Sequence, residues 1–199
     1  MPLKKKILED ATLIDLCIQG SRVHREELAK ACIPAVRKIV LLGYGNRPDT
    51  EDVVQHVLTT LFRDLDNLKN PAAFKPWMYR VACNAIYSHG SKRAKLNALF
   101  FYDADMDTRP SIQKEDSPEE RTAKAQMFGK ISTHLEKIAH KKRMAVVLSL
   151  FFGYVDSEIG AIVGCATETA KKRVQNGRRE LIKLIQKDSH LRELMEEAI

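Results

Sequence analysis

Lys171, Lys172, Gln175, Arg178 and Arg179 crowd the stretch "TETAKKRVQNGRRELIKLI". Read as a helix, this stretch turns Ala170, Val174, Leu181, Leu184 and Ile185 inward and leaves the long polar side chains, with Arg173, on its other faces. Their chemistry is non-covalent: guanidinium and ammonium groups pair with phosphate, and a carboxamide offers a donor and an acceptor to a base edge. Lys171, Lys172 and Gln175 lie early enough in the helix to reach base edges in a major groove, and Thr167 opens that helix. Arg178 and Arg179 are spaced for the flanking phosphates. A solvated basic helix face carries the same charges, so the reading depends on the neighbouring elements.

A second set lies on "PWMYRVACNAIYSHGSKRAK", residues 76–95. On a helical projection Phe74, Trp77, Met78, Val81, Ala82 and Ala85 share one apolar stripe, which predicts that Trp77 anchors a core. A different face carries Arg80, Asn84, Tyr87 and Ser91, leading to Lys92, Arg93 and Lys95. A cationic track, a stacking aromatic and an amide are what a single-stranded nucleic acid requires of a surface. Gly90 predicts an early end to this helix, since Gly costs about 1 kcal/mol relative to Ala in a helix interior.

The elements that must position these side chains are helices throughout. Apolar residues recur at three and four, and strand patterns are nearly absent. One helix is expected over Leu28 to Leu42, broken by "GYGNRPD". Asp49 then reads as the N-cap of a helix running through Val53, Val57, Leu61 and Leu65, with Glu51 and Asp52 in its positive first turn. Asn70-Pro71 makes another break before the second set. Further helices are expected over Ala125 to Ala139 and Arg143 to Phe152. A short one follows, capped by Asp156 or Ser157 with Ile159, Ile162 and Val163 inward. Gly164 supplies a left-handed turn, so the last two helices form a helix–turn–helix. Between the sets, "FFYDADMDTRPSIQKEDSPEERTAK" is acidic and aperiodic, with Pro110 and Pro118. The expected fold is all-α: two small helical domains, 1–95 and 119–199, joined by an acidic linker over 96–118, the second domain containing the helix–turn–helix.

Bulk composition narrows the function. The 199 residues carry a net charge of +7, which favours an anionic partner. Cys17, Cys32, Cys83 and Cys165 form no CxxC pair and read as small buried hydrophobes. The six histidines have no metal-ligand spacing and read as scattered surface residues; no Gly-rich phosphate loop or serine elbow is present. Neither a catalytic function nor a metal or cofactor is expected. No run reaches the roughly 20 apolar residues of a membrane span, and a cytoplasmic protein without membrane insertion is expected.

Three stretches in order, "DTEDVVQHVLTTLFR", "FKPWMYRVACN" and "SEIGAIVGCATETAKKRVQNGRREL", resemble bacterial RNA polymerase sigma factors of the extracytoplasmic-function (ECF) type. The resemblance spans nearly the whole chain. It implies that 1–95 corresponds to sigma region 2 and 119–199 to region 4, with core RNA polymerase (the β′ clamp helices and β flap), promoter DNA and an anti-sigma protein as partners. By position, Asp52, Gln55, Thr59 and Phe62 would contact the β′ subunit. Asn70, Phe74, Arg80, Asn84, Tyr87, Lys92 and Arg93 would hold the melted −10 strand. Thr167, Lys171, Lys172, Gln175, Arg178 and Arg179 would read the −35 duplex.

The chain departs from the family pattern at "SHGSKRAK", which carries fewer cations than the usual arginine run, and at Glu168 and Gly177, where small residues and Ala are frequent. Gly177 is expected to loosen the late recognition helix. Two other functions fit parts of the sequence: a sigma-like decoy that binds an anti-sigma protein without opening DNA, and a duplex-binding regulator that uses only the last domain.

Overall fold

The computed structural model describes residues 7–100 and 118–189, with side chains described over 7–91 and 127–189. All regular structure among the described residues is helical. Helices α1 (Ala11–Ile18), α2 (Arg22–Tyr44), α3 (Thr50–Asp64) and α4 (Phe74–Phe100) form a first group, with 3₁₀ turns at Leu65–Asn67 and Pro71–Ala73 between α3 and α4. Helices α5 (Pro118–Glu136), α6 (His140–Phe152), α7 (Asp156–Val163) and α8 (Thr167–Gln186) form a second. The expected linker lies largely outside the described residues.

Local chemistry sets the helix ends, not always as expected. Asp49 occupies the N-cap position of α3, but its carboxylate makes no cap bond there and instead accepts the Tyr44 hydroxyl at 2.5 Å. Thr50 closes the turn: its hydroxyl donates to the Gly45 carbonyl at 2.8 Å and accepts from the Arg47 amide at 2.7 Å. At α7 the cap is Val155, whose N–H donates to the Glu158 carboxylate at 3.0 Å, so Asp156 is the first residue of the helix rather than its cap. Helix α4 runs through Gly90 to Phe100, against the expectation of an early end. One glycine costs about 1 kcal/mol, and the good helix formers that follow it (Lys92, Arg93, Ala94, Lys95, Leu96) offset it.

The two groups pack on one contiguous core that includes Ile39 and Val40 of α2, Leu61 of α3, Met78 and Ile86 of α4, Met144 of α6, Ile159 of α7 and Val174 of α8. At its centre is α6, where every residue from Arg143 to Leu148 is buried. A helix covered on all sides must satisfy any charge it carries. Arg143 does so with backbone carbonyls: its guanidinium donates to Gly43 at 3.0 Å, Glu136 at 2.6 Å and Ile138 at 3.1 Å. Glycine at position 43 lets α2 and α6 approach closely: a Cβ there would lie 2.6 Å from the Met144 sulfur, which would have to shift.

Candidate nucleic-acid interface

Helix α8 presents its polar set as a continuous surface. Thr167, Lys171, Lys172, Gln175, Arg178 and Arg179 are all exposed, while Ala170, Val174, Gly177 and Leu181 are buried against the second group. Gly164, at φ 69°, makes the left-handed turn from α7 into α8. Two contacts fix the helix against α6: the Lys142–Glu180 ion pair, and a bond of 2.9 Å from the Arg178 guanidinium to the Ser149 hydroxyl. Gly177 does not loosen this helix. A Cβ there would stand 2.4 Å from the Val146 Cγ2 methyl and 3.2 Å from the Lys142 carbonyl, so the glycine lets α8 approach α6. Glu168 is exposed in the first turn, where a carboxylate suits the positive end of the helix. Ile182, 53% exposed, is a large apolar residue that the sequence pattern assigned to neither face.

The α4 set divides. Arg80, Asn84 and Tyr87, at spacings of four and three, are exposed on one side. Phe74 is not part of that surface: it is 1% exposed and belongs to the core, so the position proposed to grip a DNA strand is instead a structural anchor. Trp77 is half-buried, its ring 5.9 Å from that of Phe74, and contributes to the core from its margin. Asn70 is exposed, with its side-chain oxygen accepting the Ala72 N–H at 3.1 Å to cap a 3₁₀ turn. Lys92 and Arg93 lie on α4, and their side chains fall outside the described residues.

A third surface runs along α3. Asp52, Gln55 and Thr59 are exposed; Phe62 is half-buried and packs against the core, so it offers only part of its ring. Glu51, beside Asp52, pairs with Arg37 of α2 at 2.7 Å.

Sequence reasoning did not foresee a cavity of about 290 Å³ between the two groups. Asn84 and Tyr87 of α4 line it from one side, His140 and Lys141 of α6 and Arg173 of α8 from the other. The His140 ring stands 5.4 Å from Tyr87, and both its ring nitrogens are buried without a hydrogen-bond partner. Burial, reinforced by Arg143 and Lys141, lowers its pKa from 6.5 to about 4, so the imidazole is neutral. His134 also departs from the surface role expected of the histidines: it is buried and pairs with Asp188 at 2.8 Å. No spacing rule signals either, because both depend on packing between groups distant in sequence.

Cys17, Cys32 and Cys83 are buried as expected, and burial pushes the Cys32 and Cys83 thiols up to about 12, which leaves them un-ionised fillers of the core. Among the described residues no three His, Cys, Asp or Glu side chains gather as metal ligands, and no helix is long and apolar enough to cross a membrane.

Comparison with known proteins bears on the family likeness and the fold. The sigma-70 region 2 family matches residues 28–96, which include most of α2, all of α3 and most of α4. The chain is 26% identical over 171 residues to the ECF RNA polymerase sigma factor SigE of Mycolicibacterium smegmatis, covering 86% of this chain and 65% of that relative, just under two thirds of its length. It is 24% identical to the ECF RNA polymerase sigma factor EcfG of Rhodopseudomonas palustris, covering 79% and 83%. Two solved structures share the fold. CnrH in complex with the cytosolic domain of CnrY has a TM-score of 0.66 at 18% identity, covering 91% of this chain and 99% of that one. The sigma factor RpoE in complex with the anti-sigma factor NepR from Bartonella quintana has a TM-score of 0.64 at 21% identity, covering 82% and 97%.

Proposed function

We propose that this chain, an ECF-type RNA polymerase sigma factor with a sigma-70 region 2 match over residues 28–96, binds core polymerase in the cytoplasm and directs promoter-specific initiation. The observation that carries the proposal is that match, together with the Arg80–Asn84–Tyr87 face exposed on α4 within it. In this reading 1–95 works as region 2 and 119–199 as region 4, with the segment between as a connector. The exposed acid, amide and hydroxyl of Asp52, Gln55 and Thr59 dock on the β′ clamp helices, while the second group meets the β flap. Lys171, Lys172 and Gln175 read the −35 duplex, and Arg178 and Arg179 hold its phosphates.

The −10 element is opened by exchange rather than by chemistry. Each unstacked base costs a few kcal/mol, and stacking on Tyr87, hydrogen bonding to Asn84 and the charge of Arg80 offset that cost. Phosphodiester formation is left to the polymerase. Since both solved neighbours are complexes, one named with an anti-sigma factor, an anti-sigma protein is a third partner of this chain.

The test is reconstitution. Purified core polymerase should gain initiation from a subset of genomic fragments when the protein is added, with permanganate-reactive thymines at each start site. No complex with core polymerase would end the proposal, and a complex that never unpairs thymines would favour the decoy. Initiation that survives deletion of residues before Ala125 would favour a regulator using only its last domain.

A further inference from the structure

The function proposed above makes no use of the cavity of about 290 Å³ between α4, α6, α7 and α8. Its volume stands at the lower end of small-molecule sites. Cys83, Met144 and Val163 give it apolar lining, and Asn84, Tyr87, His140, Lys141 and Arg173 bring polar groups to it. No Asp or Glu is among its lining residues, so the charge it carries is cationic.

Those polar groups are unspent. Among the described residues the side chains of Asn84, Tyr87, Lys141 and Arg173 make no hydrogen bond or ion pair. Both ring nitrogens of His140 are buried without a partner. A neutral imidazole carries one N–H donor and one acceptor, and a buried group of this kind ordinarily finds a partner for each. Elsewhere between the helical groups the cations are satisfied from within the fold. Arg47 pairs with Glu136 at 3.2 Å, and Arg143 donates to three backbone carbonyls. At the cavity two cations share one small space with no carboxylate, an arrangement that an anion placed between them relieves.

We propose that this cavity is a binding site for a nucleoside monophosphate. The phosphate lies between Arg173 and Lys141, where charge-assisted hydrogen bonds hold it and the His140 N–H gains an acceptor. The base lies on the Tyr87 ring. His140 stands 5.4 Å from that ring with its plane tilted by 55°, which gives the base a second aromatic wall. The Asn84 carboxamide offers a donor and an acceptor to the base edge. Two cations suit a phosphate better than a lone carboxylate, and an amide beside an aromatic ring suits a base better than a plain phenyl group. Asn84 and Tyr87 belong also to the face assigned to the −10 strand. His140, Lys141 and Arg173 do not, and the site is tested through these three.

The experiment is isothermal titration calorimetry of the full chain with AMP, GMP, CMP and UMP. At least one should bind at one per chain with a Kd below about 1 mM. Its parent nucleoside and inorganic phosphate should each bind at least about tenfold more weakly, because each keeps only half of the contacts. Arg173→Ala and Lys141→Ala should each weaken the nucleotide about tenfold, the usual loss of a hydrogen bond to a charged group. His140→Phe, which keeps the bulk of the ring, should weaken it about three- to tenfold. Lys183→Ala removes an exposed cation ten residues further along α8, roughly 15 Å away at 1.5 Å per residue, and should change nothing.

Absence of such binding by all four nucleotides overturns the proposal. Inorganic phosphate that binds as tightly as the best nucleotide overturns the nucleotide assignment. Unchanged affinity in both Arg173→Ala and Lys141→Ala, with circular dichroism intact, places the nucleotide elsewhere and overturns the site. An equal loss in Lys183→Ala means diffuse attraction to a basic surface, and overturns it too. Lys141 is exposed, so its variant keeps the test decisive if a half-buried position such as Arg173 does not tolerate change. The titration needs neither polymerase nor promoter, so its failure leaves the proposed function standing.

Discussion

Helices α4 and α8 carry the two candidate DNA surfaces, and they differ in how many neighbours they serve. Helix α8 lies at the margin: one stripe packs on α5, α6 and α7, and Thr167, Lys171, Lys172, Gln175, Arg178 and Arg179 are all exposed. Helix α4 lies between α2 and α3 of its own group and α7 of the other, and its faces are shared among three tasks. Phe74 and Met78 go to the core and Tyr79 to the aromatic contact with the second group, while Arg80, Asn84 and Tyr87 are exposed, the last two along the cavity shared with α6 and α8. A binding helix at the edge of a fold can be read from its polarity. One at the centre cannot, because its aromatic residues serve packing and recognition alike.

The sharpest test of that difference is Phe74. If it is a core anchor, Phe74→Ala should destabilise the protein by about 3–5 kcal/mol, the usual cost of emptying a buried phenylalanine site. Urea denaturation followed by circular dichroism reads this directly. A loss under 1 kcal/mol, with impaired binding of a single-stranded oligonucleotide, would return Phe74 to the nucleic-acid face. The corresponding aromatic at the margin, Trp77, should cost less when replaced by Ala, since it is only half-buried.

Next in size is the contact that sets α8. Gly177→Val adds branched volume where the Val146 methyl and the Lys142 carbonyl already stand, and overpacking of this kind costs about 1–3 kcal/mol. Thermal unfolding should therefore begin at a lower temperature in the variant. An unchanged or raised midpoint would show that α8 can shift away from α6 without loss, and the claim of a rigidly held recognition helix would fail.

Smaller effects belong to the exposed α8 side chains. Arg179→Ala should leave stability within about 0.5 kcal/mol of wild type, as expected for a surface position, and Arg178→Ala should cost about 1 kcal/mol through the lost bond to Ser149. Each lost phosphate contact should make the slope of log affinity against log salt shallower by about 0.9. Arg178 is the better placed, since its bond to Ser149 aims the guanidinium before DNA arrives. Fluorescence anisotropy with a promoter duplex over several salt concentrations measures both slopes; two unchanged slopes would remove these residues from the interface. Asn84→Ala, by contrast, should leave duplex affinity alone and reduce permanganate reactivity at the −10 strand.

Much of this was legible in the amino-acid sequence, for a physical reason. Helical period, glycine turns and the amphipathic pattern of α8 are local properties, so Gly164 and the exposed set from Thr167 to Arg179 follow from residues within a few turns of one another. Caps were less legible, because the same group can serve a longer-range partner: Asp49 stands at the cap position but takes the Tyr44 hydroxyl. The register of α4 against the second group was not legible at all. In the sequence Arg143 reads as the first residue of an expected helix, and only the fold brings it to the Gly43 carbonyl, 100 positions away. The same holds for His140, whose meaning depends on Tyr87 and Arg173 arriving from other helices.

That histidine gives the finest measure of how the two regions are joined. Tyr87 faces it from α4, Lys141 and Arg143 from α6, and Arg173 lines the cavity from α8. Burial and cationic neighbours depress its pKa from 6.5 to about 4, so the folded form holds the neutral ring and the unfolded form takes up the proton first. The sign follows. The stability His140 contributes is present in full above pH 6.5 and is lost progressively as pH falls from there towards 4. Between pH 7 and 5, above the range in which ordinary carboxylates titrate, the wild-type unfolding midpoint should decline, and His140→Gln, which does not ionise, should decline less. Parallel pH profiles for the two proteins would mean that the ring is protonated without disturbing the junction. The cavity between α4 and α8 would then be open enough to hydrate an imidazolium, and the two DNA-facing surfaces would be less firmly joined than their shared core suggests.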